Sequence, residues 1–125
     1  ISKFAAAAIK NKPIEIFGSG NQIRSWCHVD DMVQGTLAAA TSRKAIGQVY
    51  NIGNPEETLT VLELAKKVIK IARSRSKIVF KKRNYPDVEL RIPSIEKARK
   101  ELAFEPRIDL DEGLKRTIKW YRGKS

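Results

Sequence analysis

A chain of 125 residues, 42% of them hydrophobic, has room for one domain with a modest core and not for two. Its 25 Lys and Arg against 14 Asp and Glu leave a net charge of +11, which favours anionic partners such as nucleic acid, acidic membrane or phosphorylated small molecules. One cysteine excludes an internal disulfide, one histidine beside it excludes a zinc cluster, and the longest apolar stretch, residues 4–9, is too short to cross a bilayer.

Residues 2–11 read as a helix under way from the first residue, with Ser2 as its only candidate cap, and the abrupt start is what a piece of a longer protein would show. Pro13 ends that helix and residues 14–17 read as a short strand. Gly18 and Gly20 make a tight turn, and residues 24–29 read as a second strand. Asp30 and Asp31 then open a helix to about Thr41, with Val33, Leu37 and Ala40 on its expected inward face. A third strand is expected at residues 48–53. Thr60 and Glu63 form a capping box before a helix whose inward stripe is Val61, Leu64, Ala65, Val68 and Ala72. Residues 77–82 alternate around Ile78 and Phe80 as a strand, and residues 83–93, with two prolines, read as a long loop. Two helices finish the chain, capped by Ser94 and Asp109, with stripes of Ile95, Ala98, Leu102 and of Leu110, Leu114, Ile118, Tyr121. The expectation is a small mixed α/β unit of five helices and about four short strands.

A self-contained active site is not expected. A dinucleotide site needs a strand, a glycine-rich turn and then a helix, so that pyrophosphate can approach bare backbone. Phe17-Gly-Ser-Gly20 leads instead into another strand, and no Tyr-x-x-x-Lys pair occurs: Asn54, Glu89 and Ser125 stand four residues after Tyr50, Tyr85 and Tyr121. Cys27 reads as a buried inert thiol, since His28 beside it on a strand would point to the opposite face. The lone thiol suits a reducing compartment and no signal-peptide pattern stands at the start, so a cytoplasmic location is the expectation.

The remaining candidates bind anions or stack on rings. Arg24, rigidly placed after the glycine turn, can clamp a diphosphate through its guanidinium fork or bond to loop carbonyls. Arg91, in the proline-bounded loop, can converge on the same ligand or stand as a surface charge. Phe17 can stack on a nucleobase or belong to the core. Asn51, an amide in an apolar run, must be satisfied by backbone or by a ligand.

Six blocks in order carry a resemblance across essentially the entire chain: an amphipathic first helix, FGSGNQIRSWCHVDD at 17–31, VYNIGNPEE at 49–57, TVLELAKKVIKIA at 60–72, RIPSIEKARKEL at 91–102 and DEGLKRTIKWYR at 111–122. The arrangement resembles the C-terminal, substrate-binding half of nucleotide-sugar 4-epimerases, 4,6-dehydratases and UDP-glucuronate decarboxylases, members of the extended short-chain dehydrogenase/reductase family. GNPEE and the spacing before IPSIEKA look closest to the decarboxylase branch, GNQIRSW to the dehydratase branch. Such enzymes oxidise a sugar hydroxyl with tightly held NAD, then epimerise, dehydrate or decarboxylate the keto intermediate.

The resemblance implies that residues 1–125 are the substrate-binding domain of a larger enzyme, binding a UDP- or dTDP-sugar and lacking the N-terminal Rossmann domain that holds NAD. It implies Arg24 and Arg91 on the diphosphate, Phe17 and Glu15 beside the base, and Asn51 near the base or ribose. Arg83 is a weaker phosphate candidate, because RNYPDV departs from the arginine-glycine pattern of the epimerases. Asp30 and Asp31 match a Val-Asp-Asp signature that reads as helix-start structure, and Ala103-Phe104 stands where Gly-Trp is usual. No catalytic residue or metal ligand is assigned in this chain, and a homo-oligomer is expected.

Two other readings compete. The run from Lys66 to Arg83 holds nine Lys or Arg and no acidic residue, a possible nucleic-acid footprint, although it is split among a helix face, a turn and a strand. A structural or oligomerising module without a small-molecule site is the other. Both are held as alternatives to nucleotide-sugar binding.

Overall fold

Small side chains let three helices close around one strand. Helix α1 (Ser2–Ile9) buries Ala5 and Ala8, and packs on α3 (Val61–Ala72) and α5 (Leu110–Arg122). Strand β1 (Ile14–Phe17) alternates buried and exposed, and sends Ile14 and Ile16 into this core with Leu64, Val68, Leu114 and Ile118. Each such fully buried aliphatic side chain contributes about 1.5–3 kcal/mol. The expected stripes on α3 and α5 are the ones that face inward, Val61 and Tyr121 only partly covered.

In this computed structural model, which describes residues 1–123, five strands and five helices are present among the described residues, with a 3-10 turn at Arg43–Ala45. The fold is mixed α/β, as expected, with one strand more than expected. Strand β1 pairs in parallel with β4 (Ile78–Lys81), Ile14 opposite Ile78. A second sheet has β2 (Ile23–Ser25) at its centre, antiparallel to β3 (Thr58–Thr60) and parallel to β5 (Leu90–Arg91).

Helix ends follow local chemistry where the sequence spells it out. Thr60 and Glu63 make the full capping box, and the Asp109 side chain accepts from the Glu112 N–H at 2.8 Å. At α4 (Glu96–Leu102) the expectation fails: Ile95 is the N-cap and no side chain caps it, while Ser94 lies outside. Ser2 is inside α1 rather than capping it. The strand expected at 24–29 stops at Ser25, because the His28 ring accepts from the Asp30 N–H and starts helix α2 (Val29–Thr41).

Helix α2 turns the opposite face inward from the one expected. Its buried residues are Asp31 and Gly35, whereas Val33, Leu37 and Ala40 are exposed. Two contacts decide this. The Asp31 carboxylate accepts from the Arg107 and Ile108 N–H groups, both at 3.0 Å, tying α2 to the segment before α5. Gly35 lets the helix backbone meet a second, smaller core of Ile95, Ala98 and Phe104 with Tyr50, Ile52 and Leu102 against it. The strand expected at 48–53 does not form; its residue Val49 is 83% exposed and the segment has no strand partner among the described residues.

Two substitutions at the second core carry opposite signs. A Cβ at Gly35 would lie 2.6 Å from Ile52 Cγ2 and 3.1 Å from Phe104 Cδ2, so Gly35→Ala is expected to destabilise by about 1–3 kcal/mol. Ala103 closes α4 in the left-handed region with φ of 51°, so Ala103→Gly is expected to stabilise by up to about 1 kcal/mol. Urea unfolding midpoints should move down for the first and up for the second.

Candidate functional site

Parallel pairing decides where two arginines go. Arg24 on β2 is the register partner of Arg91 on β5, and partners in a parallel ladder project from the same face of the sheet. Both line one open groove of about 590 Å³, together with Trp26, Asn51, Gly53 and Pro93. Gly53 is required there, since a Cβ would come within 2.8 Å of Pro93 Cγ. Asn51 is exposed, and its Nδ2 donates to the Ser94 carbonyl at 3.2 Å, leaving its carbonyl oxygen toward solvent or a ligand.

Arg24 itself is held on two sides. Its Nη1 donates to the Ile23 carbonyl at 2.8 Å, and its Nη2 to Asp87 Oδ1 at 2.9 Å. Arg24 thus bonds to a carbonyl of its own strand and to a distant carboxylate, and it lines a groove shared with Arg91. Arg91 lies on the surface strand of the sheet, exposed.

The other candidates stand elsewhere. Phe17, Glu15 and Arg83 line a neighbouring groove of about 450 Å³ with Gln22, Tyr85 and Asp87. The Phe17 ring is 46% exposed, so it is not a core residue, and the Gln22 amide donates to its carbonyl at 3.3 Å. Gly18 and Gly20, both with φ near +80° (80° and 79°), turn the chain just beyond it. Glu15 faces Lys81 Nζ at 3.4 Å. Arg83 Nη1 donates to Asp87 Oδ2 at 2.6 Å, its Nε donates to the Tyr85 carbonyl, and its guanidinium carbon lies 5.7 Å from the Tyr85 ring centre. Asp87 lines the Phe17 groove and not the one shared by Arg24 and Arg91, yet its carboxylate contacts both Arg83 and Arg24.

Asn51, grouped with Phe17 and Glu15 in the sequence reading, therefore sits with the two arginines instead. Asp87 and Tyr85 are the additions that sequence reasoning missed. Asp87 stands four residues after Arg83, but in a loop, where that spacing carries no meaning, and 63 residues from Arg24.

The turn at Gly18 and Gly20 does not fit the pyrophosphate of NAD. Gly18 and Gly20 lie between two strands, and a Cβ at Gly20 would meet Ile16 and Leu62 at 3.2 Å, so this turn packs on protein and does not open a helix toward a pyrophosphate. The Cys27 thiol is pushed up from its usual value, first by burial and then by the charge of Asp31, and its Sγ contacts the His28 carbonyl. It is a poor nucleophile. Among the described residues no group of three His, Cys, Asp or Glu is arranged to hold a metal, and no helix is long and apolar enough to cross a membrane.

Residues 1–53 match the NAD dependent epimerase/dehydratase family. UDP-glucuronic acid decarboxylase 1 of Arabidopsis thaliana is 38% identical over 99% of this chain, which covers 28% of that protein. Among solved structures, the UDP-glucuronic acid 4-epimerase of Bacillus cereus, determined with UDP-glucuronic acid and NAD, superposes with a TM-score of 0.90 at 28% identity over 98% of this chain. The UDP-glucose 4-epimerase of Thermotoga maritima, determined with UDP-glucose, gives 0.87 at 31% identity over 97%. This chain spans 39% and 38% of those two structures, so it matches little more than a third of each. Nearly its whole length is thus similar, in sequence and in fold, to one part of the NAD-dependent sugar-nucleotide epimerases and decarboxylases.

Proposed function

We propose that this chain is the substrate-binding part of an NAD-dependent nucleotide-sugar epimerase, dehydratase or decarboxylase, and that it grips a UDP- or dTDP-sugar by its diphosphate. The observation that carries the reading is the pairing of Arg24 with Arg91 in one groove. A guanidinium presents donors in a planar fork that matches phosphate oxygens, so two side by side match a diphosphate. The base lies against the exposed Phe17 ring beside Glu15. Asn51 meets the ligand on the side of the two arginines, and Arg83 stands between the two ends.

The rest of the enzyme is a second part of the proposal. Val29, Met32, Val33 and Leu37 leave an apolar stripe on α2, and Ile46 and Val49 are exposed as well. An exposed apolar stripe of this kind marks a surface that something covers. A Rossmann domain preceding residue 1 would cover it, and would bring NAD and the groups for hydride and proton transfer. The chemistry therefore needs both parts, and this chain alone binds without turning over. Bound weakly, too, because an open groove with walls missing is not preorganised.

The basic run from Lys66 to Arg83 supports a nucleic-acid reading less well, because Lys67, Lys81 and Arg83 each face a carboxylate (Asp111, Glu15 and Asp87).

Three outcomes are expected. Calorimetry with UDP should show binding that falls at least about tenfold in Arg24→Ala and in Arg91→Ala, the scale of a lost charge-assisted contact; unchanged affinity in both would overturn the diphosphate reading. The purified chain with NAD and UDP-glucuronic acid should give no product by chromatography, and turnover would refute the division of labour. Light scattering should report dimers or larger species that a Val33→Lys, Leu37→Lys variant reduces to monomers, whereas a monomeric parent chain at high concentration would count against the uncovered face.

A further inference from the structure

Resting on the diphosphate reading above, we propose that Asp87 is the positioning residue for Arg24: it holds the guanidinium from outside the groove so that the remaining donors face the ligand. Three donors converge on its carboxylate. Oδ1 accepts from Arg24 Nη2 and from the Val88 N–H, both at 2.9 Å, and Oδ2 accepts from Arg83 Nη1 at 2.6 Å. The three side chains are largely covered, with exposures of 17% for Arg24, 21% for Arg83 and 26% for Asp87. Partial burial strengthens such contacts relative to ion pairs in open water.

Location separates this role from the obvious alternative, a carboxylate that competes with the ligand. Asp87 lines the groove of Phe17 and another beside Asn21, Val88 and Leu90, while Arg24 and Arg91 line a third with Asn51. Asp87 thus reaches Arg24 from the far side. With Nη2 on Asp87 and Nη1 on the Ile23 carbonyl, the guanidinium plane is fixed by two bonds in different directions. A long side chain with about 2 kcal/mol of rotamer entropy is then ordered before the ligand arrives. Arg83 becomes a brace for Asp87 rather than a phosphate ligand, since its Nη1 and Nε are both engaged within the loop.

The sign of one measurement tests this. Removing a negative charge beside a cationic groove should strengthen anion binding by simple attraction, and removing a competitor should do the same. Loss of a positioning residue weakens it. Binding of inorganic pyrophosphate, measured by calorimetry on the full chain, is expected to fall about tenfold in Asp87→Asn, the lower end of what a lost outer partner costs at metal sites. In an Arg24→Lys background, which keeps the charge and loses the fork, Asp87→Asn is expected to change nothing further. A merely structural loop role would persist in that background and would overturn the proposal, as would equal or tighter binding by the single variant. Absence of pyrophosphate and UDP binding in the unaltered chain would overturn the diphosphate reading itself, and this inference with it.

Discussion

The site depends on a register. A two-residue strand, Leu90–Arg91, pairs with β2 so that Arg91 stands opposite Arg24. Like charges directly across a ladder are destabilising, by up to about 1 kcal/mol. Nothing in packing asks for that juxtaposition, and a slip of one residue would move Arg91 to the other face. The pairing is fixed from outside the strand: the Ile23 N–H donates to the Glu89 carbonyl at 2.7 Å, and Asp87 just before it holds Arg24 and Arg83 together. One loop therefore sets both the position of the second arginine and the orientation of the first.

What was legible in the sequence was mostly local. Thr60 with Glu63 and Asp109 with Glu112 announced helix starts, because a cap and its partner lie three residues apart and need nothing distant. The stripes of α3 and α5 also held, since their neighbours lie within the chain. Arg24 and Arg91 were legible as candidates from residue type and resemblance, and their meeting followed from a strand that the two prolines in residues 83–93 had concealed. Asp87 was not legible at all. Its partners lie at Arg24 and at Arg83, and only the path of the loop makes them one network.

Helix α2 shows the limit of periodicity. Val33 and Leu37 do recur at helical spacing, yet the face they share is exposed rather than turned inward. Periodicity alone does not choose which face meets the core. Within residues 1–123 the helix answers to a buried carboxylate and a glycine, Asp31 and Gly35, and so turns its apolar stripe away. The run at 48–53 failed as a strand for a related reason. A strand is a relation between two segments, and without a ladder partner this β-prone run forms none; Tyr50 and Ile52 pack on the second core instead.

Net charge, the first property read from the chain, turns out to be the least specific guide to the site. A charge of +11 would draw any anion toward the protein, and much of it sits on α3, α5 and β4 far in sequence from the paired arginines. Long-range attraction of this sort is screened within about 8–10 Å at ordinary ionic strength and reads no shape. The proposed selectivity for a diphosphate rests instead on two guanidinium groups brought together by the register of β2 and β5. The same argument explains why so little of the basic surface enters the functional reading. A lysine offers a point charge without a planar fork, whereas Arg24 has its plane held by a carbonyl and a carboxylate.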